Sequence, residues 1–148
     1  MKKRLKAGVF ICAALMAALA FAAAGCTGAS DETESSAAKA VIQTDGEVLG
    51  DGGTAFSLTV ADADGGEIHA EIHTDEETVG EALEALGVIA GEESPTGLYV
   101  KTVNGITADY EADGTYWAFY VGGEYAQTGV DSTPVSDGGS YAFKVEQG

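Results

Sequence analysis

The first 26 residues limit what the rest of the chain can use to fold. Four basic residues within positions 2–6 precede an almost unbroken apolar run over 7–24, which ends at Gly25 and Cys26. This layout is typical of an export signal. Both cysteines of the chain, Cys12 and Cys26, belong to this segment. The exported part therefore has no disulfide framework and must be held together by its own hydrophobic core.

A stretch of small residues closed by Gly25-Cys26 resembles the lipobox of bacterial lipoproteins, in which the cysteine thiol receives a diacylglyceryl group and becomes the new amino terminus. The resemblance predicts a signal peptide over 1–25 and lipidation of Cys26, although Ala23 stands where the pattern prefers a larger aliphatic residue. An uncleaved membrane helix is the alternative, because the apolar run approaches the ~20 residues that span a bilayer. Both interpretations place the remaining residues on the extracytoplasmic face of the cell membrane.

The composition predicts one globular domain on an acidic chain. The chain has 148 residues, of which 45% are hydrophobic, and a formal charge of -17. Four of the seven basic residues lie in the signal, which leaves three against 24 acidic residues. Because nucleic-acid binding depends on Lys and Arg at phosphates, this balance excludes a nucleic-acid partner.

Residues 27–39 contain no large apolar side chain, so we predict a flexible acidic tether over 26–50 and a domain over 51–148.

The first elements of that domain are predicted from periodicity. Residues 56–60 and 68–73 alternate apolar and polar side chains around turn residues at 62–66, which predicts a β-hairpin. Thr78 and Glu81 then have the spacing of a capping box. Apolar residues follow at helical spacing, and Gly87 is placed to end a short amphipathic helix.

More strands are predicted after this helix. A loop over 91–97 leads to strands within 98–103, 116–121 and 141–145. Two strands, a helix and then further strands predict an α+β domain, in which one short helix packs on one face of a single β-grasp-like mixed sheet.

No set of residues has the pattern of a catalytic or metal site. His69 and His73 are the only histidines, and on a strand their Cα atoms lie about 13 Å apart. That separation is too large for both to bind one zinc without other ligands; a helix would suit a metal better, but the period-two pattern favours solvent-facing strand histidines. Asp62 and Asp64 resemble a fragment of a calcium loop, yet the required downstream Glu is missing, so a turn is preferred. We expect no enzyme activity, metal or cofactor.

Aromatic residues concentrate in the carboxy-terminal half of the chain. Strand alternation within 116–121 places Trp117, Phe119 and Val121 on one face and Tyr116, Ala118 and Tyr120 on the other. One face is expected to meet the helix. The other would display tyrosines, which suit contacts with a ligand or a protein partner. The alternative is that both sets of side chains serve packing.

Five segments in order support a family resemblance: TVGEAL at 78–83, GLYV at 97–100, YWAFY at 116–120, TGVD at 128–131 and DGGSY at 137–141. Together they resemble the transcobalamin-like carboxy-terminal domain family, which includes the β-domain of transcobalamin and intrinsic factor and many bacterial lipoproteins. The family shares a β-grasp-like fold. The resemblance extends from about residue 56 to the end of the sequence.

This resemblance implies a ligand. In the vitamin carriers the β-domain closes over one face of cobalamin, which a larger helical domain holds from the other side. The resemblance thus implies a lipid-anchored module that binds cobalamin, another corrinoid or another flat molecule beside a membrane transporter. The affinity for such a ligand would come from a shallow patch on this domain or from another protein. The alternative is an extracellular module that binds protein or glycan. The ligand-binding residues that the resemblance implies are Tyr116, Trp117, Tyr120, Tyr125, Thr128 and Asp131.

Overall fold

The computed structural model of the protein describes residues 40–148. The predicted signal peptide, Cys26 and residues 26–39 of the predicted tether lie outside this range. The described elements, in chain order, are β1 (Glu47–Leu49), β2 (Thr54–Ala61), β3 (Glu67–Thr74), α1 (Val79–Ala85), β4 (Ile89–Ser94), β5 (Gly97–Val103), β6 (Ile106–Thr107), α2 (Tyr110–Asp113), β7 (Thr115–Val121), β8 (Glu124–Tyr125), a 3-10 turn (Val130–Ser132) and β9 (Ser140–Gln147).

A six-stranded mixed sheet has the strand order β1-β3-β2-β9-β7-β8. Strands β2 and β3 are antiparallel, with Phe56 opposite Ile72 and Leu58 opposite Ala70, so the predicted hairpin is confirmed. Strand β9 lies parallel to β2 and antiparallel to β7. The strands predicted within 116–121 and 141–145 are therefore neighbours in this sheet.

Three further strands form a second sheet in the order β4-β5-β6, so the prediction of a single sheet is wrong. Strand β4 also occupies much of the segment predicted as a loop. Most β4 side chains are exposed, so the alternating hydrophobic pattern that marks a strand is missing there. At the other end of β5, Asn104 (φ 46°) and Gly105 (φ 80°) form a tight turn that folds β5 back onto β6.

Helix α1 begins at the predicted capping box. The Thr78 hydroxyl accepts a hydrogen bond from the Glu81 amide at 3.2 Å, and the Glu81 carboxylate accepts one from the Thr78 amide at 3.2 Å. Val79, Ala82 and Leu83 are buried, which confirms the predicted helix. The helical part of the domain is small, however, and the fold is mostly β with two sheets. Neither helix of the described range has the length and apolar character that crossing a bilayer would require.

The core lies against one face of the large sheet. Phe56 and Leu58 of β2 and Phe143 of β9 are at most 2% exposed. The Phe119 ring packs beside the Phe143 ring at 5.0 Å between centroids and stacks on Tyr141 at 6.2 Å. Side chains on alternate positions point to the opposite face. We call this the outer face; its members include Thr59, His69, Glu71, Tyr116, Tyr120, Ala142, Lys144 and Glu146.

Residues 41–49 belong to the fold, whereas the sequence predicts a flexible tether as far as residue 50. Ile42 is 1% exposed, and β1 pairs in parallel with β3. The side-chain oxygen of Asn104 accepts hydrogen bonds from the amides of Val41 at 2.8 Å and Ile42 at 2.7 Å, and its amide donates to the Ile42 carbonyl at 3.0 Å. The predicted boundary was wrong because a residue more than 60 positions away holds this segment.

Candidate functional site

An open groove of about 600 Å³ lies beside β5, β7 and the start of α2. Its volume is within the range that small-molecule sites usually have. We call it the tyrosine groove because three of its seven lining residues are tyrosines. The lining residues are Glu92, Tyr99, Lys101, Asp109, Tyr110, Glu111 and Tyr116.

Each tyrosine of the groove comes from a different element. Tyr99 and Lys101 alternate along β5 with the buried Val100, so both lie on the groove side of the strand. Tyr110 begins α2, whose N-cap residue Asp109 accepts a hydrogen bond from the Glu111 amide at 2.9 Å. Tyr116 lies in β7. Tyr99 and Tyr110 are 41% and 55% exposed, so their rings are accessible to a ligand.

The groove carries an excess of negative charge. The Lys101 ammonium lies 3.0 Å from a Glu92 carboxylate oxygen. This hydrogen bond raises the pKa of Lys101, and the charges of Asp109 and Glu111 raise it further. With one lysine against three carboxylates, the lining residues have two uncompensated negative charges.

Two tyrosines of the outer face share one carboxylate. The hydroxyl of Tyr116 donates to Glu146 at 3.2 Å, and the hydroxyl of Tyr120 donates to the other oxygen of the same group. Burial and this hydrogen bond raise the pKa of Tyr116. The hydrogen bond to Glu146, followed by burial, raises the pKa of Tyr120 to about 12. Both phenols are therefore neutral donors near neutral pH and do not act as bases.

We expect the ionisation of Tyr120 to be visible at high pH. The fold raises the pKa of Tyr120 above its ordinary value of 10.0 because it favours the protonated phenol. The stabilisation of the folded state by this phenol is therefore fully present below pH 10 and is lost as the pH rises towards 12. An absorbance titration at 295 nm should show a late-ionising tyrosine. Glu146→Gln should move this late step back towards the ordinary range, and wild-type titration in a single step near pH 10 would contradict the expectation.

The structure separates the six residues that the resemblance implied. Tyr116 lines the groove at one end of the outer face, whereas Tyr120 and Tyr125 lie on that face outside the groove, with ring centroids 5.6 Å apart. Trp117 is only 7% exposed and belongs to the core, where its indole N–H donates to the Ile106 carbonyl at 3.2 Å. The prediction that one face of β7 packs and the other carries tyrosines therefore holds, but Trp117 lies on the packing face.

Thr128 and Asp131 are not groove residues. The Thr128 hydroxyl lies 3.1 Å from the Thr133 hydroxyl. Asp131 lines a separate cavity of about 260 Å³ with Glu84 and Glu93, and its buried Oδ1 has no hydrogen-bond partner within the described residues. Within residues 40–148, no group of three or more His, Cys, Asp or Glu side chains is arranged to hold a metal ion.

The two histidines lie on β3, as predicted. His69 Nδ1 is 2.8 Å from Asp45, and His73 Nε2 is 2.7 Å from Glu71. The His69 hydrogen bonds lower the pKa of Asp45. The His69 side chain is 53% exposed and faces solvent, whereas the His73 side chain is 32% exposed and half-buried.

Sequence reasoning missed most of the groove. Tyr99, Lys101, Asp109 and Tyr110 were not among the predicted ligand-binding residues. The alternation of Tyr99 and Lys101 about Val100 could have placed both on one face of β5. Their proximity to α2 and β7 was not predictable, because it depends on how the second sheet packs.

Comparisons with known proteins found a matching family model and similar solved structures. Residues 76–147 match a family model described as a domain of unknown function (DUF4430). The crystal structure of a candidate metal-binding protein from Ruminococcus gnavus ATCC 29149 is 35% identical, with a TM-score of 0.61, and the match covers 64% of this chain and 98% of that one. No curated protein matches the chain.

A second solved structure shares the fold. Haptocorrin in complex with Cbi is 19% identical, with a TM-score of 0.51. The match covers 67% of this chain and 27% of haptocorrin, so the chain corresponds to about a quarter of that protein. At this identity the likeness concerns the fold alone, and it agrees with the transcobalamin-like resemblance only at that level.

Proposed function

Because this chain belongs to one family with the Ruminococcus gnavus protein and carries the domain of unknown function (DUF4430), we propose that it is a non-catalytic ligand-binding module. Its ligand would be a small, partly apolar molecule that enters the tyrosine groove. The observation that carries this proposal is the groove itself, which combines about 600 Å³ of open volume with three tyrosines from three elements. Few concave sites with convergent aromatic and polar groups occur per protein, and they are usually binding sites.

The polar groups of the groove favour binding over catalysis. Asp109 caps α2, and Lys101 is held by Glu92. Tyr116 donates its proton to Glu146 in a hydrogen bond, and its raised pKa keeps it neutral. General acid-base or nucleophilic catalysis needs a group whose pKa is poised near the working pH and a partner that activates it. The groups named here instead make structural contacts, which for the Asp109 carboxylate involve one of its two oxygens.

A corrinoid is the first ligand to test. Haptocorrin, which shares the fold, has been crystallised with Cbi. A corrinoid is flat and partly apolar, and aromatic side chains recognise such surfaces by stacking. The groove is open and would accommodate only part of such a ligand. A second protein, for which a membrane transporter is our candidate, would then cover the remainder.

The test is a titration of the full-length chain in detergent micelles with cobalamin, with fluorescence of Trp117, the single tryptophan, as the readout. We expect saturable quenching in the micromolar range. Tyr99→Ala and Tyr110→Ala should each weaken binding roughly tenfold, because each removes a ring whose stacking on the ligand would contribute about 1.4 kcal/mol. Tyr125→Ala is the matched control, because Tyr125 is as exposed as Tyr110 but does not line the groove.

Two results of this titration would count against the proposal. A strictly linear loss of signal, equal to that of free tryptophan, would reject corrinoid binding. Binding that is lost in Tyr125→Ala but kept in Tyr99→Ala would move the site to the outer face. That outcome favours the second candidate, a protein- or glycan-binding module, since Tyr120, Tyr125 and Lys144 form a cluster there.

We also propose that Cys26 anchors the module to the extracytoplasmic face of the cell membrane. The support is the sequence Ala24-Gly25-Cys26 after a basic and apolar signal. Mass spectrometry of the membrane fraction should find a lipid on Cys26 as the amino-terminal residue. Cys26→Ser should abolish the lipid, and a mature wild-type chain that retains Lys2 would contradict cleavage.

A further inference from the structure

We propose that the tyrosine groove selects ligands that present an ammonium or quaternary ammonium group beside an apolar body. This inference rests on the proposed function, because it takes the groove to be the ligand site. It names the charge that the groove favours in a ligand. The rings of Tyr99 and Tyr110 supply the aromatic surfaces for this ligand. The carboxylates of Asp109 and Glu111 supply the negative charge.

The two carboxylates are available to a ligand. Glu92 is paired with Lys101 at 3.0 Å. Asp109 and Glu111 form no ion pair with any other residue in 40–148. One oxygen of the Asp109 carboxylate accepts a hydrogen bond from the Glu111 amide. The groove therefore carries two net charges that no cation of the described domain neutralises.

The potential from these carboxylates extends into the groove. Asp109 and Glu111 both raise the pKa of Lys101, which lines the same cavity, so their charges favour a cation at its ammonium position. An anionic ligand would be repelled by this potential and by the negative charge of the chain, whose formal net charge is -17. A cation is attracted by both, and the attraction weakens with added salt.

Aromatic side chains add selectivity for a cation over a neutral group of the same shape. Tyrosine rings attract ammonium groups through the ring quadrupole, and desolvated sites contribute more than exposed ones. Tyr99 and Tyr110 are each about half-exposed, whereas Tyr116 is half-buried and neutral. A methylated ammonium suits this lining, because its methyl groups present an apolar surface while the group keeps a full positive charge.

The experiment compares two probes that differ in charge but not in shape. Choline and its uncharged isostere 3,3-dimethylbutan-1-ol are titrated into the full-length chain in non-ionic detergent micelles, with isothermal calorimetry as the readout. We expect choline to bind about tenfold more tightly than the alcohol, the ratio expected for a partly desolvated cation–π site. Raising the salt concentration should weaken the binding of choline and leave that of the alcohol unchanged.

Charge-removing variants locate the effect. Asp109→Asn with Glu111→Gln should weaken choline binding at least about fivefold and leave the alcohol unaffected. Asparagine is also a good N-cap residue, so α2 should be retained. Asp64→Asn with Glu124→Gln is the matched control, because it removes two exposed charges outside the groove.

Each outcome decides the inference. Equal affinities for the two probes, or an equal loss of choline binding in the control variant, would overturn it. If cobalamin binding depends on Tyr99 but choline is not preferred over the alcohol, the inference is wrong while the proposed function stands. If choline binds in an Asp109- and Glu111-dependent manner and cobalamin does not bind, the corrinoid proposal is wrong and the inference stands.

Discussion

Asn104→Ala is expected to lower the free energy of unfolding by about 3 kcal/mol, with a fall in Tm of about 15 °C for a domain of this size. The Asn104 side chain is 6% exposed and makes three hydrogen bonds to the backbone of Val41 and Ile42. Alanine would leave these backbone groups without their partner. It would also have to adopt the left-handed conformation at φ 46°, which alanine disfavours.

Two further variants separate these causes, with urea or thermal unfolding as the measurement. Asn104→Gly removes the hydrogen bonds but not the tolerance for positive φ, so it should recover only the strain part of the loss. Gln43→Ala alters an exposed neighbour in the same segment and should change stability by less than about 0.5 kcal/mol. An Asn104→Ala protein as stable as wild type would show that residues 41–42 do not depend on this side chain.

Gly80→Ala is expected to destabilise the protein by about 2 kcal/mol, although alanine is the better helix former by roughly 1 kcal/mol. Gly80 is buried in the first turn of α1. A Cβ atom there would lie 2.7 Å from the Asp131 Cα and 2.9 Å from the Asp131 nitrogen. Both atoms are backbone atoms of the 3-10 turn and cannot rotate away, so the steric cost exceeds the gain in helix propensity.

Urea denaturation measures this effect, and Glu84→Ala provides the control. Glu84 is exposed in the same helix, and its replacement should change stability by less than about 0.5 kcal/mol. If Gly80→Ala were stabilising, helix propensity would outweigh the close approach, and the contact between α1 and the 3-10 turn would have to be looser than described.

The elements with clear local patterns were predictable. The β2–β3 hairpin follows from strict alternation on both sides of a turn, and α1 follows from its capping box and apolar spacing. Strand β4 was missed because most of its side chains are exposed, so no buried face marks it in the sequence. The folded start at residues 41–49 was missed for a related reason, since Ile42 and Asn104 meet only in three dimensions.

The candidate site was predictable only in kind. Aromatic residues in the second half of the sequence indicated a binding surface, and Tyr116 lines the groove. The resemblance also implied Trp117, whose indole is buried, and Asp131, which lies in another cavity. Tyr99 and Tyr110 were absent from that set because their approach to Tyr116 depends on packing between elements.

The sequence by itself determined the local elements whose signals lie within a few residues of one another: the capped helix, the alternating strands and the tight turns. It also determined the acidic charge that makes anionic partners unfavourable. Only the tertiary structure decided that the strands divide into two sheets and that β5, α2 and β7 bring three tyrosines to one groove. The physical reason is that periodicity records which side of an element is buried, whereas the partner that buries it is chosen by packing among residues distant in the chain.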